Sequence, residues 1–309
     1  MNLKSLTKLG KEKVSPSWIL FKKTFTFNLF TPLKFLLSVI FMILIPEIGI
    51  LILNPIDIPL EYQFLSLIGY FVVIFTFNII FSLIMIFSAA PLISDEIRSG
   101  TMLTLISKPI SRIKIIGSKY LALLSYGLFI SCCSLVFISL SALFKFPAVE
   151  VFQFFIIHLL YSILVLFIFG SLTISFSTIF KKPRNAALIP AVVVVFTFLI
   201  FMSFRSMLMW SFEPGEMPIY EKYQLYHFDL GYHLANVYYL IVESIISIIP
   251  TEMVFFFELF GLYKFDFNSL EYTQTNYYSP IGSLILLLVL TVIFLVIGIF
   301  YFKKRDISI

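Results

Sequence analysis

Charge is what this sequence has least of. Only 13% of its 309 residues are Asp, Glu, Lys or Arg, against 60% that are hydrophobic, with 38 phenylalanines and a mean hydropathy of +1.02. So little polar surface cannot cover a folded chain in water, which excludes a soluble globule. Cysteine is nearly absent: Cys132 and Cys133 are adjacent. Neighbours on a helix point different ways, so they offer no disulfide framework and argue against a metal or redox role. No Gly-x4-Gly-Lys-Ser/Thr run occurs, so the chain carries no phosphate-cradling loop and is not an ATPase by itself. The three histidines form no convincing triad with a nucleophile and an acid. His227 and His233 bracket Asp229 in "HFDLGYH", which reads as a solvated loop and helix start rather than a metal site. A secretory signal is missing, since Met1 to Val14 is basic and polar with no short apolar core and cleavage site behind it, and the N-terminus is expected to be retained. Internal repeats, low-complexity linkers and a soluble domain are lacking too.

What is present is six apolar runs, at about 33–53, 64–90, 115–143, 152–180, 187–204 and 280–302. Each approaches the ~20 residues needed to cross ~30 Å of hydrocarbon. The fold class expected is therefore all-α, a polytopic membrane protein with six transmembrane helices. The second run is long enough to tilt or to project beyond the membrane, and Pro91 is expected to break or bend its end.

Cations give the orientation. The arm through Lys34 carries seven Lys and Arg, the 91–119 region five, "KKPR" at 181–184 three and "KKR" at 303–305 three, or 18 of the 22. Lys145, Arg205, Lys222 and Lys264 fall on the other side of six crossings, where the 205–279 connection also holds nine of the 17 acids. By the positive-inside rule both termini face the cytoplasm of a multi-pass cell-membrane protein. The net charge of +5 thus reports topology and anionic inner-leaflet lipid, and nucleic acid is not an expected partner.

Four regions follow. Residues 1–32 form a cytoplasmic arm in which "WILFKKTFTFNLFTPLKF" (18–35) reads as a helix lying in the interface, with Trp18 at headgroup depth; an N-terminal extension of the first span is the alternative. Residues 33–204 hold spans one to five. Residues 205–279 form an extracytoplasmic loop too long to be bare coil. In it Leu234, Val237, Tyr238, Ile241, Val242, Ile245, Ile246 and Ile249 recur at helical steps, with Asn236 and Glu243 on other faces and Pro250 behind. This amphipathic helix lies on the outer surface or caps the bundle; a seventh span is disfavoured by Glu243. Residues 280–309 supply the last span and a basic C-terminus.

Between the second and third spans stands "SDEIRSGTMLTLISKPISR" (94–112), charged and helix-patterned. Ser94 is placed to N-cap a helix with Asp95 and Glu96 in its first turn, running to about Ser107 and stopped by Pro109. The spacing Glu96-x3-Gly100-Thr101, Pro109-x-Ser111-Arg112, then Gly117-x-Lys119, resembles the signature of permease subunits of type-2 ATP-binding-cassette exporters. Ser118 separates Gly117 from Lys119, where many relatives have Gly and Lys adjacent, so no role is rested on Lys119 alone. The resemblance implies that 94–112 is a coupling helix docking on a separate cytoplasmic ATPase subunit, with Glu96, Gly100, Thr101, Pro109 and Arg112 as the ATPase-coupling positions. It implies no catalytic residue and no cofactor or metal held by this chain, ATP and Mg being used by the partner ATPase, and a dimer with a second permease copy, identical or related. Glu96 and Arg112 either pair with ATPase charges or cap the segment itself, and Gly100 allows close backbone approach.

Ionisable and polar groups within spans are functional candidates by default. Glu47, beside Pro46, either lines an export route or snorkels to the nearby surface; Asn78 and His158 are further candidates for a pathway. The function expected is that of a non-catalytic permease subunit of an ABC transporter, forming the translocation pathway and coupled to a separate cytoplasmic ATPase for export, with a hydrophobic or lipid-like cargo. The alternatives are a lipid-acting membrane enzyme, which calls for clustered acids or histidines, and a secondary transporter, which calls for midplane charge pairs and inverted repeats.

Overall fold

Hydrocarbon offers a backbone no hydrogen bonds, so each apolar run has to satisfy its own peptide groups as a helix. In the computed structural model, which describes residues 15–52, 65, 68–107, 110–209, 217–246, 251–266 and 271–305, all six runs do so. They are α2 (Pro32–Ile52), α3 (Val72–Arg98), α5 (Arg112–Ala142), α6 (Ala148–Ile179), α7 (Pro183–Leu208) and α11 (Pro280–Lys304). The first ten residues of α3 wind in wider π turns. At 1.5 Å per residue, the 32 residues of α6 extend ~48 Å, well beyond the ~30 Å of hydrocarbon. The bundle thus has a basic end, with Lys34, Arg98, Lys181 and Lys303, and an opposite end where 217–279 lies.

α6 is the axis. It packs against α3, α5 and α11, and its buried face carries Gly170, Ser171, Ser175 and Ser177. Small residues let backbones approach where apolar packing alone gives no preference over lipid. At the α6–α11 crossing, a Cβ on Gly298 would stand 2.9 Å from Ser175 Cα, and Thr178 Oγ1 donates to the Gly298 carbonyl at 3.1 Å. α2, α7 and α11 keep most of their surface outward.

The arm resolves into a separate helix rather than an extension of the first span. α1 (Pro16–Lys23), N-capped by Ser15, continues through a π turn (Thr24–Leu29) and breaks at Phe30 before α2 begins. Leu20, Thr24 and Leu29 bury against α5 while Lys22 and Lys23 stay exposed, and Trp18, Phe21, Phe25 and Phe30 stack in sequence.

Two expectations for the 94–112 segment are overturned. Pro91 interrupts the helix at Ala90 as expected but does not end the second span, and Ser94 is no N-cap: α3 continues past both, and Ser94 lies buried inside it with its hydroxyl donating to the Ala90 carbonyl at 2.6 Å. The helix passes a proline because α6 repairs it. Ser177 Oγ donates to the Ala90 carbonyl (2.6 Å) and accepts from the amides of Ile93 (3.1 Å) and Ser94 (3.0 Å), so a hydroxyl from a neighbouring span bridges the disturbed ladder. Asp95 and Glu96 therefore sit in a last turn, where the helix dipole disfavours acids, and each needs a cation. The chain then reverses at Gly100 into the short α4 (Thr101–Ile106). Pro109 lies outside the described residues. Ser111 N-caps α5, accepting from the Lys114 amide at 3.4 Å.

At the opposite end come α8 (Ile219–Lys222), α9 (Leu230–Ile245), α10 (Thr251–Leu259) and a hairpin the sequence reading missed, β1 (Tyr263–Asp266) with β2 (Glu271–Gln274), pairing Tyr263 with Gln274 and Asp266 with Glu271. α9 begins four residues before the apolar pattern suggested, and does not lie on the surface. It wedges between α6 and α11, burying His233 and Asn236 along with Leu234 and Val237. Sixteen residues are too few to span, and Glu243 remains exposed.

Candidate functional site

The charged turn at the basic end is built from the last turn of α3, Gly100 and α4. Gly100 has φ 74°, and a Cβ there would meet nothing within 4 Å. The glycine is needed for its left-handed backbone, since the protein itself leaves the space beside it open. Met102, fully buried, pins α4 to the bundle. Thr101 and Thr104 face outward with Arg98, their hydroxyls turned back onto the carbonyls of Glu96 (3.4 Å) and Thr101 (2.7 Å). Arg98 pairs with Asp95 at 2.8 Å on the surface. Beside the turn opens a polar groove of about 310 Å³, lined by Asn28 and Lys34 on one side and Asp95, Glu96, Ser99 and Thr101 on the other.

Glu96 and Arg112 find their partners within the chain. Glu96 Oε2 lies 2.5 Å from the ammonium of Lys119, which is fully buried in α5 and also donates to the Leu92 carbonyl. Lys119, set aside in the sequence, is thus the counter-ion that lets an acid stay in the last turn of α3. Arg112, half-buried at the start of α5, donates one nitrogen to the carbonyls of Phe302 (2.8 Å), Lys303 (2.9 Å) and Arg305 (3.0 Å), at the end of α11. Of the two roles open to these residues, capping and internal pairing are what the geometry provides.

Within the bundle, Asn78 and His158 come together and Glu47 stands apart. Tyr161 Oη donates to Asn78 Oδ1 at 2.5 Å, and its ring centroid lies 5.2 Å from that of Tyr238, whose hydroxyl is 3.4 Å from His158 Nε2. His158 Nδ1 reaches the Phe154 carbonyl at 2.7 Å. Both Asn78 and His158 are fully buried. Glu47, half-buried, accepts from Ser141 Oγ at 2.6 Å, and Lys145 closes the same end of α2 by donating to the Ile50 carbonyl at 2.7 Å. The tyrosines were missed; the three-residue step from His158 to Tyr161 places both on one face of α6 and was the available signal.

Of the residues read as a solvated loop and helix start at 227–233, His227 and Phe228 are exposed and Asp229 does begin α9, but Asp229 and 231–233 are interior. Asp229 caps α9 through the Tyr232 amide (3.1 Å) and forms a two-point pair with Arg205 at 2.6 and 2.7 Å. Arg205 is fully buried in the last turn of α7 and also donates to the Leu259 carbonyl at 2.6 Å. Tyr220 donates to Asp229 at 2.8 Å; burial, then the Asp229 charge, pushes its phenol upward. His233 meets Ser283 Oγ at 3.0 Å and the His227 carbonyl at 3.3 Å, and burial pulls its imidazole below the usual range. Arg205, Asp229 and His233 therefore serve as structural joints, tying the 217–279 cap to α7 and α11. An apolar cleft of about 430 Å³ lies beside α7, lined by Val193, Phe196, Phe201, Phe228 and Leu230.

Six spans, an arm helix on the surface of α5, a charged turn after the second span and a helical cap before the last make a pattern that can be compared with known proteins. No curated protein matches the chain. Residues 11–307 match the family described as ABC-2 family transporter protein. Its members are generally non-catalytic membrane permeases that dimerise and pair with ATPase subunits. With nearly its whole length matched and all six spans in place, the chain belongs to the ABC-2 transporter family and is a multi-pass membrane permease of ABC transporters.

Proposed function

We propose that this permease receives a separate cytoplasmic ATPase subunit at the turn formed by Arg98, Gly100, Thr101 and Thr104, works as a dimer with an identical or related permease, and moves an apolar or lipid-like substrate outward. The basic end faces the cytoplasm on this reading, by the same cation asymmetry that orients membrane proteins generally. ATP and Mg are held by the ATPase, and this chain binds neither. Closure of two ATPase subunits pushes α4, and the spans rock to change access.

The observation that carries the reading is the construction of the turn. An exposed helix of one and a half turns, set by a left-handed glycine and anchored by Met102, is supported by a buried Glu96–Lys119 pair. A loop that only connected two spans would need no such footing. The apolar cleft beside α7 supports a greasy cargo. The test is co-expression with a candidate ABC ATPase subunit. Capture of that subunit by the tagged permease, and a change in its ATP hydrolysis in proteoliposomes, is the expected result. An ATPase that neither binds nor changes its rate refutes the reading and favours a transporter or enzyme that works alone.

A further inference from the structure

Three helices end at the basic end, α3, α6 and α11, and each presents carbonyls that no helix turn satisfies. A cation from another element reaches the terminal carbonyls of α6 and α11, and on α3 one reaches further back, into the ladder. Lys119 of α5 takes the Leu92 carbonyl near the end of α3 and pairs with Glu96. Arg112 of α5 takes three carbonyls at the end of α11. Arg305, just past α11, donates to the carbonyls of Thr178 (2.5 Å) and Ile179 (3.2 Å) at the end of α6. Ser177 of α6 then closes the circuit into α3 at Ala90, Ile93 and Ser94. The order of links is α3 to α5, α5 to α11, α11 to α6, and α6 back to α3. Such contacts are individually modest, two of them cations at helix C-termini and the third an ion pair to Glu96, but here each helix tip is tied to a neighbour that is itself tied.

We propose that this closed ring fixes the tips of α3, α5, α6 and α11 as one plate, so that a push on α4 reaches the last span and the central span together. α2 and α7 stand outside the ring and are the elements past which the plate moves. Arg112, Arg305 and Lys119 are then positioning residues for coupling, acting through the helix ends they hold. The proposal rests on the ATPase-driven reading for its functional half and on geometry alone for the plate.

Two measurements test the halves separately. In the first, the full chain in nanodiscs is followed by amide hydrogen exchange. Arg112→Gln is expected to speed exchange about tenfold at the end of α11, and equally at 176–179 and 92–98, which Arg112 does not touch. Arg305→Gln is expected to speed the same three segments. A variant that loosens only the carbonyls it had bonded makes these residues independent caps and overturns the plate. In the second, the permease is reconstituted with its ATPase subunit. Arg112→Gln is expected to leave the affinity for the ATPase within about twofold and to cut the permease-dependent change in ATP hydrolysis about tenfold. Arg112→Lys, still a cation at the same carbonyls, is expected to restore most of it. Unaltered coupling in Arg112→Gln overturns the functional half. An ATPase that fails to bind the unaltered chain refutes the ATPase-driven reading instead, and the exchange pattern still decides the plate.

Discussion

Gly100 and Gly117 both belong to the motif that marks this segment, yet the structure assigns them opposite sensitivities. Gly100 sits at φ 74° with nothing within 4 Å of the place where a Cβ would go, and Gly117 has equally open space but lies inside α5 with ordinary helical backbone. A side chain at 100 therefore costs only backbone energy, roughly 1 to 2 kcal/mol for an L-residue in the left-handed region. That shifts the population of the correctly bent turn about 5- to 30-fold, and the alternative conformer withdraws Met102, and α4 with it, from the bundle. Gly100→Ala is expected to weaken ATPase capture by that factor, and Gly100→Asn, which tolerates the conformation better, by less. Gly117→Ala removes a glycine from a helix interior and is expected to stabilise by about 0.5 to 1 kcal/mol, with capture unchanged. Affinity measured for the three purified variants checks this. Equal affinities for Gly100→Ala and the unaltered chain would mean that capture does not need the left-handed backbone at 100, and a loss in Gly117→Ala would mean that this glycine serves contact; either result refutes the reasoning.

Two further outcomes follow from the opposite end. Arg205→Met leaves Asp229 buried without its guanidinium, and thermal unfolding in detergent should show a loss of about 3 to 5 kcal/mol, partly recovered when Asp229→Leu is added; a single variant as stable as the double would sink the pairing. His233 has a folded-state pKa pulled below 6.5 by burial, so between the two values the unfolded chain binds more protons. Its contribution to stability is present above about pH 6.5 and is lost as pH falls, and His233→Gln should flatten the decline between pH 7 and 5.5, a slope unchanged by that variant counting against it.

Much of the coupling segment's location was legible and little of its construction. Hydropathy placed five spans to within four residues because length and composition alone decide what crosses a bilayer, whereas the second, read as 64–90, runs eight residues further, to Arg98. Local rules then misplaced Ser94 and Pro91, since a proline and an N-cap residue followed by acids normally mark a helix boundary. The rule failed there because Ser177, more than eighty residues away, supplies hydrogen bonds that the proline disturbs. For Glu96 and Arg112 the sequence left pairing with an ATPase and capping within the segment both open, because their partners, Lys119 and the end of α11, lie outside it. At the opposite end the amphipathic pattern left α9 on the surface or capping the bundle, because Asn236 reads as solvent-facing; Ser283 and the Tyr278 carbonyl make it interior.

The sequence by itself determined that the chain crosses a membrane six times, which end gathers the cations, and where a charged, glycine-bent turn interrupts the apolar runs. These properties are local sums of transfer energy and charge, and no fold is needed to add them. Only the tertiary structure decided what those charges do. Whether a cation faces solvent, a partner or a helix end depends on which span lies beside it, and that neighbourhood is set by packing of small residues on α6 against α3 and α11, far apart along the chain.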